Sequence, residues 1–379
     1  MKKIEMFLEE RKERGLLREL RPFSFKIQGK IYTDERVFID FSSNDYLGLS
    51  SHPYLIEKVR EAVAMFGTCS SASRLLGGDF QIHHRLEERV ARFKGKESAV
   101  VFNTGYQANI GILSSLLSTQ DVVFADKACH ASIIDGIILS GSKLFRFRHN
   151  DTNHLESLLK QKRKQYKTSM IITETIFSMD GDRADLKNIV GLKNRYDSYL
   201  MVDEAHSTGI YGRNGSGMIE EEGLCSDVEL IMGTFSKALA GYGGYLATSK
   251  KIASYIINTS RSFIYSTALP PFISACNLAG LDLIEKEPER RKTVLELSDF
   301  LRESLKTKGY KIIGNSQIVP LITGDNTNTQ KTASLLLENG FWVFSVRPPT
   351  VPEGTSRIRF SITYHHKKQD LQKIISLIN

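Results

Sequence analysis

Met201-Val202-Asp203-Glu204-Ala205-His206-Ser207-Thr208-Gly209 is an apolar run that stops on an acid and carries a histidine three residues further on. The run reaches back to Tyr199, so Tyr199 to Val202 reads as a short buried strand with Asp203 at its carboxyl end. It is one of a series. From about Glu97 onward, Ser98 to Phe102, Val122 to Ala125, Leu144 to Phe147, Met170 to Thr173 and Leu230 to Met232 are runs of the same kind, separated by stretches with helical spacing. Strand and helix in alternation predicts an α/β fold on a mostly parallel central sheet. Ligands of such open sheets bind outside the carboxyl ends of the strands. A buried carboxylate there can keep a pyridine nitrogen protonated and so strengthen the ring as an electron sink. Alone, Asp-x-x-His suits a metal site or a helix cap about as well.

Two further stretches narrow the chemistry. After the run Leu230 to Met232 comes Gly233-Thr234-Phe235-Ser236-Lys237-Ala238-Leu239-Ala240-Gly241, one lysine among small and hydroxylated residues. Burial favours the uncharged amine, which can attack an aldehyde, while hydroxyls and backbone N–H groups can hold a phosphate. A surface lysine in a Gly-rich turn is the plainer alternative. Upstream, Asn103-Thr104-Gly105-Tyr106-Gln107-Ala108-Asn109 reads as a strand-to-helix turn whose glycine frees N–H groups at a helix start, where the dipole favours an anion. Tyr106 and, one strand-to-helix unit later, His130 are flat side chains suited to stacking, or equally a core aromatic and a satisfied histidine. Their order along the chain, each at an expected strand end, argues for one site.

Around this centre, residues 1–45 read as a charged amphipathic helix followed by strand-like alternation from Phe25 to Phe41. Residues 46–268 form the large α/β domain, and 269–379 a smaller C-terminal α+β domain, with two long helices, strand-like Ile318 to Ile322, a helix, and Arg357 to Ile362. The boundary falls near Pro270. With 379 residues and 41% hydrophobic content, the chain can bury a large core. No apolar stretch is long enough to span a bilayer, and Met1-Lys2-Lys3-Ile4-Glu5 opens no signal core, so no membrane and a cytoplasmic location are expected. Cys69, Cys129, Cys225 and Cys276 show no metal or redox spacing, and no metal is expected. The net charge of +8 is spread along the chain, which reads as a solvated basic surface rather than a nucleic-acid-binding one.

Together with Phe41-Ser42-Ser43-Asn44-Asp45-Tyr46-Leu47-Gly48-Leu49 and Tyr265-Ser266-Thr267, these stretches make the chain resemble the fold-type I transferases that depend on pyridoxal 5′-phosphate (PLP), and within them the α-oxoamine synthases, over essentially its whole length. Where that family often carries Gly-Ser-Gly, this chain has Thr68-Cys69-Ser70-Ser71-Ala72-Ser73 before Arg74. The resemblance implies Lys237 as the Schiff-base and proton-transfer residue, Asp203 on the pyridine nitrogen, His130 stacked on the ring and His206 near its phenolic oxygen. It implies Gly105, Tyr106, Ser178 and Thr234 around the phosphate, with Thr267 reaching it from the partner of a homodimer. It also implies Asn44 and Arg359 on an amino-acid carboxylate, and Arg21, Arg347 and Thr350 facing an acyl substrate. Arg347-Pro348-Pro349-Thr350-Val351-Pro352 resembles the branch that condenses L-alanine with a pimeloyl thioester, on coenzyme A or a carrier protein, in biotin biosynthesis. Use of glycine or serine with another acyl thioester, transamination, and a non-catalytic basic binding module are the rival readings.

Overall fold

The computed structural model describes residues 1–378, which divide into two compact units: 49–177 with 183–291, and 1–48 with 178–182 and 292–378. The larger unit is built on seven strands: β1 (Ser98–Phe102), β2 (Val122–Asp126), β3 (Lys143–Phe147), β4 (Ser169–Glu174), β5 (Tyr199–Asp203), β6 (Leu230–Thr234) and β7 (Gly244–Thr248). They lie in the order β1-β7-β6-β5-β4-β2-β3. Every pairing among β3, β2, β4, β5 and β6 is parallel, while β7 runs antiparallel to both β1 and β6. β2, β4, β6 and β7 are buried along their whole length, which matches continuous Val/Ile/Met runs covered on both faces. The carboxyl ends of β4, β5 and β6 deliver Glu174, Asp203 and Thr234.

Two helices bear directly on the site. α1 (Gly105–Leu116) follows β1, and α2 (Ala131–Ser140) follows β2. Gly136 lets them approach closely: a Cβ there would come 2.9 Å from the Asn109 carbonyl oxygen and 3.1 Å from Leu113 Cβ. Ile112, Leu113, Ile133 and Ile137 fill the seam, each 0% exposed.

The larger unit runs on past Pro270 to Arg291, further than the boundary read from sequence. Helix Pro271–Lys286 buries Cys276, Ala279, Leu281 and Leu283 and packs on helix Pro53–Phe66, so its apolar face belongs to this unit. The smaller unit also gathers both chain ends. Phe25–Ile27, Lys30–Tyr32 and Val37–Asp40 form an antiparallel meander, and Phe341–Trp342 joins it in parallel beside Val37–Asp40. A second sheet pairs Ile318–Gly324, Ser356–Ser361 and Ser345–Val346. Along Ser356–Ser361 the strand alternation sends Ile358 and Phe360 into the core and Arg357 and Arg359 to the opposite face. Helix Lys2–Glu13 has no buried residue.

Candidate active site

The lysine loop is closed by its own hydroxyls. Thr234 donates to the Gly243 carbonyl at 2.7 Å and lies 2.8 Å from Ser236 Oγ, while the Gly241 N–H donates to the Phe235 carbonyl at 2.9 Å. Ala240 takes a left-handed φ of 53°, a conformation that costs energy outside glycine and tightens the turn. The loop places the half-buried Lys237 so that its Nζ lies 2.9 Å from Nε2 of the buried His206. His206 is presented by the turn after β5, where Asp203 Oδ1 accepts the Ala205 N–H at 2.8 Å.

Asp203, 5% exposed, is adjacent in register to Glu174 on the neighbouring strand. Glu174 Oε1 accepts the His130 backbone N–H at 2.5 Å. Burial pushes the Glu174 carboxyl up to about 8, with Asp203 acting in the same direction and Lys237 against it. His130 has its titration lowered, first by partial burial; Asp203 opposes this and Lys237 reinforces it. Its ring keeps solvent exposure and stands edge-on to Tyr106, centroids 6.4 Å apart at 81°. The Tyr106 hydroxyl donates to Asp135.

Several features fit PLP. The Thr104 hydroxyl caps α1 on the Gln107 N–H at 3.0 Å, and the first turn of the helix offers N–H groups that its own ladder does not use. A Cβ on Gly105 would come 3.2 Å from Met232 Cε, so glycine lets the start of α1 pack closely against the end of β6. Asp203 is a buried carboxyl group available to a ring nitrogen, Lys237 an amine for an aldehyde and His130 a flat, exposed ring. Thr267, expected at the phosphate from a partner subunit, is exposed, and its carbonyl accepts from Asn103 Nδ2 at 2.8 Å.

The smaller unit holds the remaining expected residues. Arg359 donates from Nη2 to Asn44 Oδ1 at 3.2 Å and the Tyr46 hydroxyl at 3.4 Å, from Nε to the Ser178 carbonyl at 2.5 Å, and from Nη1 to Ser361 Oγ at 2.6 Å. Ser178 is thus tied to Arg359 through its backbone. Arg347 donates to the Gly15 carbonyl, Arg18 donates to Thr350 Oγ1 at 3.2 Å, and Arg21 lies over the Phe344 ring at 6.0 Å. Burial lowers the Arg347 titration, and Arg21 and Arg18 press in the same direction. Among the described residues none of these three arginines pairs with a carboxylate, so the cluster has charge to offer an anion. Arg18, Glu174, Asn109 and Ser132 were not singled out from the sequence. Glu174 ending a strand beside Asp203, and Ser132 two residues after His130, are the signals that would have found them.

A glycine turn that opens a helix, a buried acid at a strand's end and a loop lysine on this seven-stranded sheet fit a PLP-dependent enzyme of fold type I. Residues 36–378 match the family model described as Aminotransferase class I and II, and the chain belongs to that family. It is similar to the 8-amino-7-oxononanoate synthase of Geobacter sulfurreducens, 42% identical over 372 residues that cover 97% of this chain and 95% of that protein. Among solved structures, a serine palmitoyltransferase of Sphingomonas wittichii superposes with a TM-score of 0.93 at 29% identity, covering 99% of this chain and 96% of that one. An 8-amino-7-oxononanoate synthase from Francisella tularensis does so with a TM-score of 0.79 at 30% identity, covering 90% and 96%. Other structures of the palmitoyltransferase kind contain PLP.

Proposed function

We propose that this enzyme is a decarboxylative acyltransferase of biotin biosynthesis, joining L-alanine to a pimeloyl thioester to give 8-amino-7-oxononanoate, carbon dioxide and a free thiol. The observation that carries the reading is the cluster of Arg18, Arg21 and Arg347, without a carboxylate partner among the described residues, beside Thr350 in the segment that resembles the alanine-using branch. Such a cluster suits an acyl donor that is itself anionic, as a pimeloyl thioester is at its far carboxylate and coenzyme A is at its phosphates. The names of the relatives support the same reading.

Bound PLP supplies an electron sink for negative charge at the amino-acid Cα. Lys237 and Asp203 would hold it by aldehyde and ring nitrogen, His130 by stacking, and Gly105, Tyr106, Ser178 and Thr234 by its phosphate, with Thr267 contributed across a homodimer. Once the alanine amine has taken its place at the aldehyde carbon, the freed Lys237 Nζ would take the proton from Cα, and His206, 2.9 Å away, would steady the amine through its two protonation states. Arg359 and Asn44 grip the carboxylate, which fixes which bond at Cα is cleaved first. The new C–C bond forms at the thioester carbonyl as the C–S bond breaks. The alanine carboxylate then leaves as carbon dioxide, and a proton returns to Cα. No helix among the described residues is long and apolar enough to cross a membrane, and the four cysteines are free. We place the reaction in the cytoplasm on the strength of those free thiols.

The decisive experiment measures carbon dioxide and thiol release by the PLP-loaded protein given pimeloyl-coenzyme A with alanine, glycine or serine. Turnover confined to alanine is expected. Preference for serine with a long acyl thioester would instead assign the activity that the palmitoyltransferase structures carry in their name.

A further inference from the structure

A chain of hydrogen bonds between Asp203 and His130 has a direction that the carboxylate dictates. Asn109 is 1% exposed, on α1, and one end of its amide faces Asp203 Oδ2 at 3.3 Å and Ser132 Oγ at 2.9 Å. That end is the Nδ2 amide, a donor only, and its two hydrogens go to Asp203 and Ser132. Among the described residues the Asn109 Oδ1 is left buried without a hydrogen-bond partner, a cost the protein tolerates to keep Nδ2 on the acid. Ser132 Oγ, having accepted from Asn109, has its own proton to give. It lies 2.8 Å from His130 Nδ1, which also receives the Ser132 backbone N–H at 3.3 Å. A ring nitrogen that accepts from both directions carries no proton.

We propose that Asn109 and Ser132 are positioning residues that hold His130 as the neutral tautomer with its proton on Nε2, and so lock its ring orientation to Asp203. The consequence rests on the reading of His130 as the ring that stacks on PLP. A neutral His130 leaves Asp203 as the group that sets the charge of the pyridine nitrogen, with no imidazolium competing for that carboxylate. The titratable groups facing His130 are Asp203 from β5, Lys237 from the loop after β6, Asp135 one turn along α2, Tyr106 from α1 and Glu174, whose carboxyl holds the His130 backbone N–H. The partial burial and the nearby Lys237 both disfavour a charged ring, in keeping with the hydrogen-bond direction.

The test is nitrogen NMR of the full chain labelled at histidine, PLP-free and PLP-loaded, with the His130 signals assigned by their loss in His130→Gln. The wild-type protein is expected to show an unprotonated Nδ1 and a protonated Nε2 at neutral pH in both forms. Ser132→Ala removes one of two donors to Nδ1, so the His130 titration midpoint rises by roughly half to one pH unit, while Ser132→Thr keeps the hydroxyl and the wild-type midpoint. Asn109→Leu is expected to move it in the same direction as Ser132→Ala. A protonated Nδ1 in the wild type overturns the proposal whatever the variants do, and so does an unchanged midpoint in folded Ser132→Ala. Failure of PLP to shift any His130 signal would strike at the stacking role instead, leaving the hydrogen-bond chain intact.

Discussion

Lys94 Nζ lies 2.8 Å from Glu204 Oε2 with both side chains 1% exposed, directly behind the turn that presents Asp203 and His206. The ammonium also donates to Thr208 Oγ1 at 2.9 Å and to the Ser216 carbonyl, while Glu204 Oε1 accepts the Ile219 N–H at 3.0 Å and Ser207 Oγ at 3.1 Å. Burial works against the charged lysine, but Glu204 and Tyr245 outweigh it and raise the lysine's titration above the usual range. Removing one partner strands the other charge in the interior. Lys94→Met is therefore expected to destabilise the larger unit by about 3–5 kcal/mol, and Lys94→Met with Glu204→Gln to recover much of that. Urea unfolding followed by circular dichroism measures both. A single variant as stable as the wild type would show that the pair does not hold the turn.

Lys237→Ala is expected to abolish the visible absorbance of lysine-linked PLP and the lysine adduct that borohydride traps, with far-ultraviolet circular dichroism unchanged. The loop is closed by Thr234, Ser236 and Gly243 rather than by the lysine itself, so its shape survives the change. A trapped lysine adduct in this variant would move the covalent role to another residue.

The strands were legible because they are continuous apolar runs, and the runs of β4, β5 and β6 stop on the polar residues that the fold brings together at their carboxyl ends. β7 was not read, because Gly244-Tyr245-Leu246-Ala247-Thr248 is short and opens on glycine; its Gly244 is there to clear Gly105, whose Cα a Cβ would approach to 2.7 Å. Lys94 reads in the sequence as an ordinary basic residue ending helix Gln81–Phe93, and only the fold reveals the buried acid that draws it inward. Asn109 and Ser132 escape for a similar reason: a polar residue on an apolar helix shows no partner until two helices meet at Gly136. The boundary near Pro270 failed to mark a unit edge because helix amphipathicity says that a face is buried without saying against what.

Glu174 makes stability depend on pH. Its carboxyl titrates at about 8 when folded, far above the usual carboxylate range around 4.5. Between those values the folded state keeps a proton that the unfolded chain has released, so the contribution is fully present below about 4.5 and is lost as pH rises through about 8. Glu174→Gln keeps an oxygen for the His130 N–H and removes the proton. The PLP-free variant is expected to lose this downward slope in unfolding free energy between pH 5 and 8, measured by denaturant titration at closely spaced pH (roughly half-unit steps). Parallel slopes in the two proteins would mean that Glu174 is ionised in the fold.

Arg359 is the residue on which the order of bond cleavage depends in this mechanism, and its surroundings say how it should fail. Its guanidinium is braced by the Ser178 carbonyl and Ser361 Oγ, leaving the Nη2 edge toward Asn44 and the Tyr46 hydroxyl. Burial raises the Tyr46 titration despite the arginine, so the phenol stays neutral and does not compete for the charge. A charged hydrogen bond of this kind contributes about 1.5–3 kcal/mol, so Arg359→Ala is expected to raise KM for alanine by roughly 10- to 100-fold. KM for the thioester should change far less. Arg359→Lys retains the charge without the planar fork and should restore alanine binding only in part, with decarboxylation of alanine uncoupled from thiol release where the carboxylate is no longer held in one orientation. Steady-state kinetics with each substrate varied in turn separates these outcomes. Equal losses for alanine and thioester would remove Arg359 from the carboxylate and leave it a brace for the Ser178 loop.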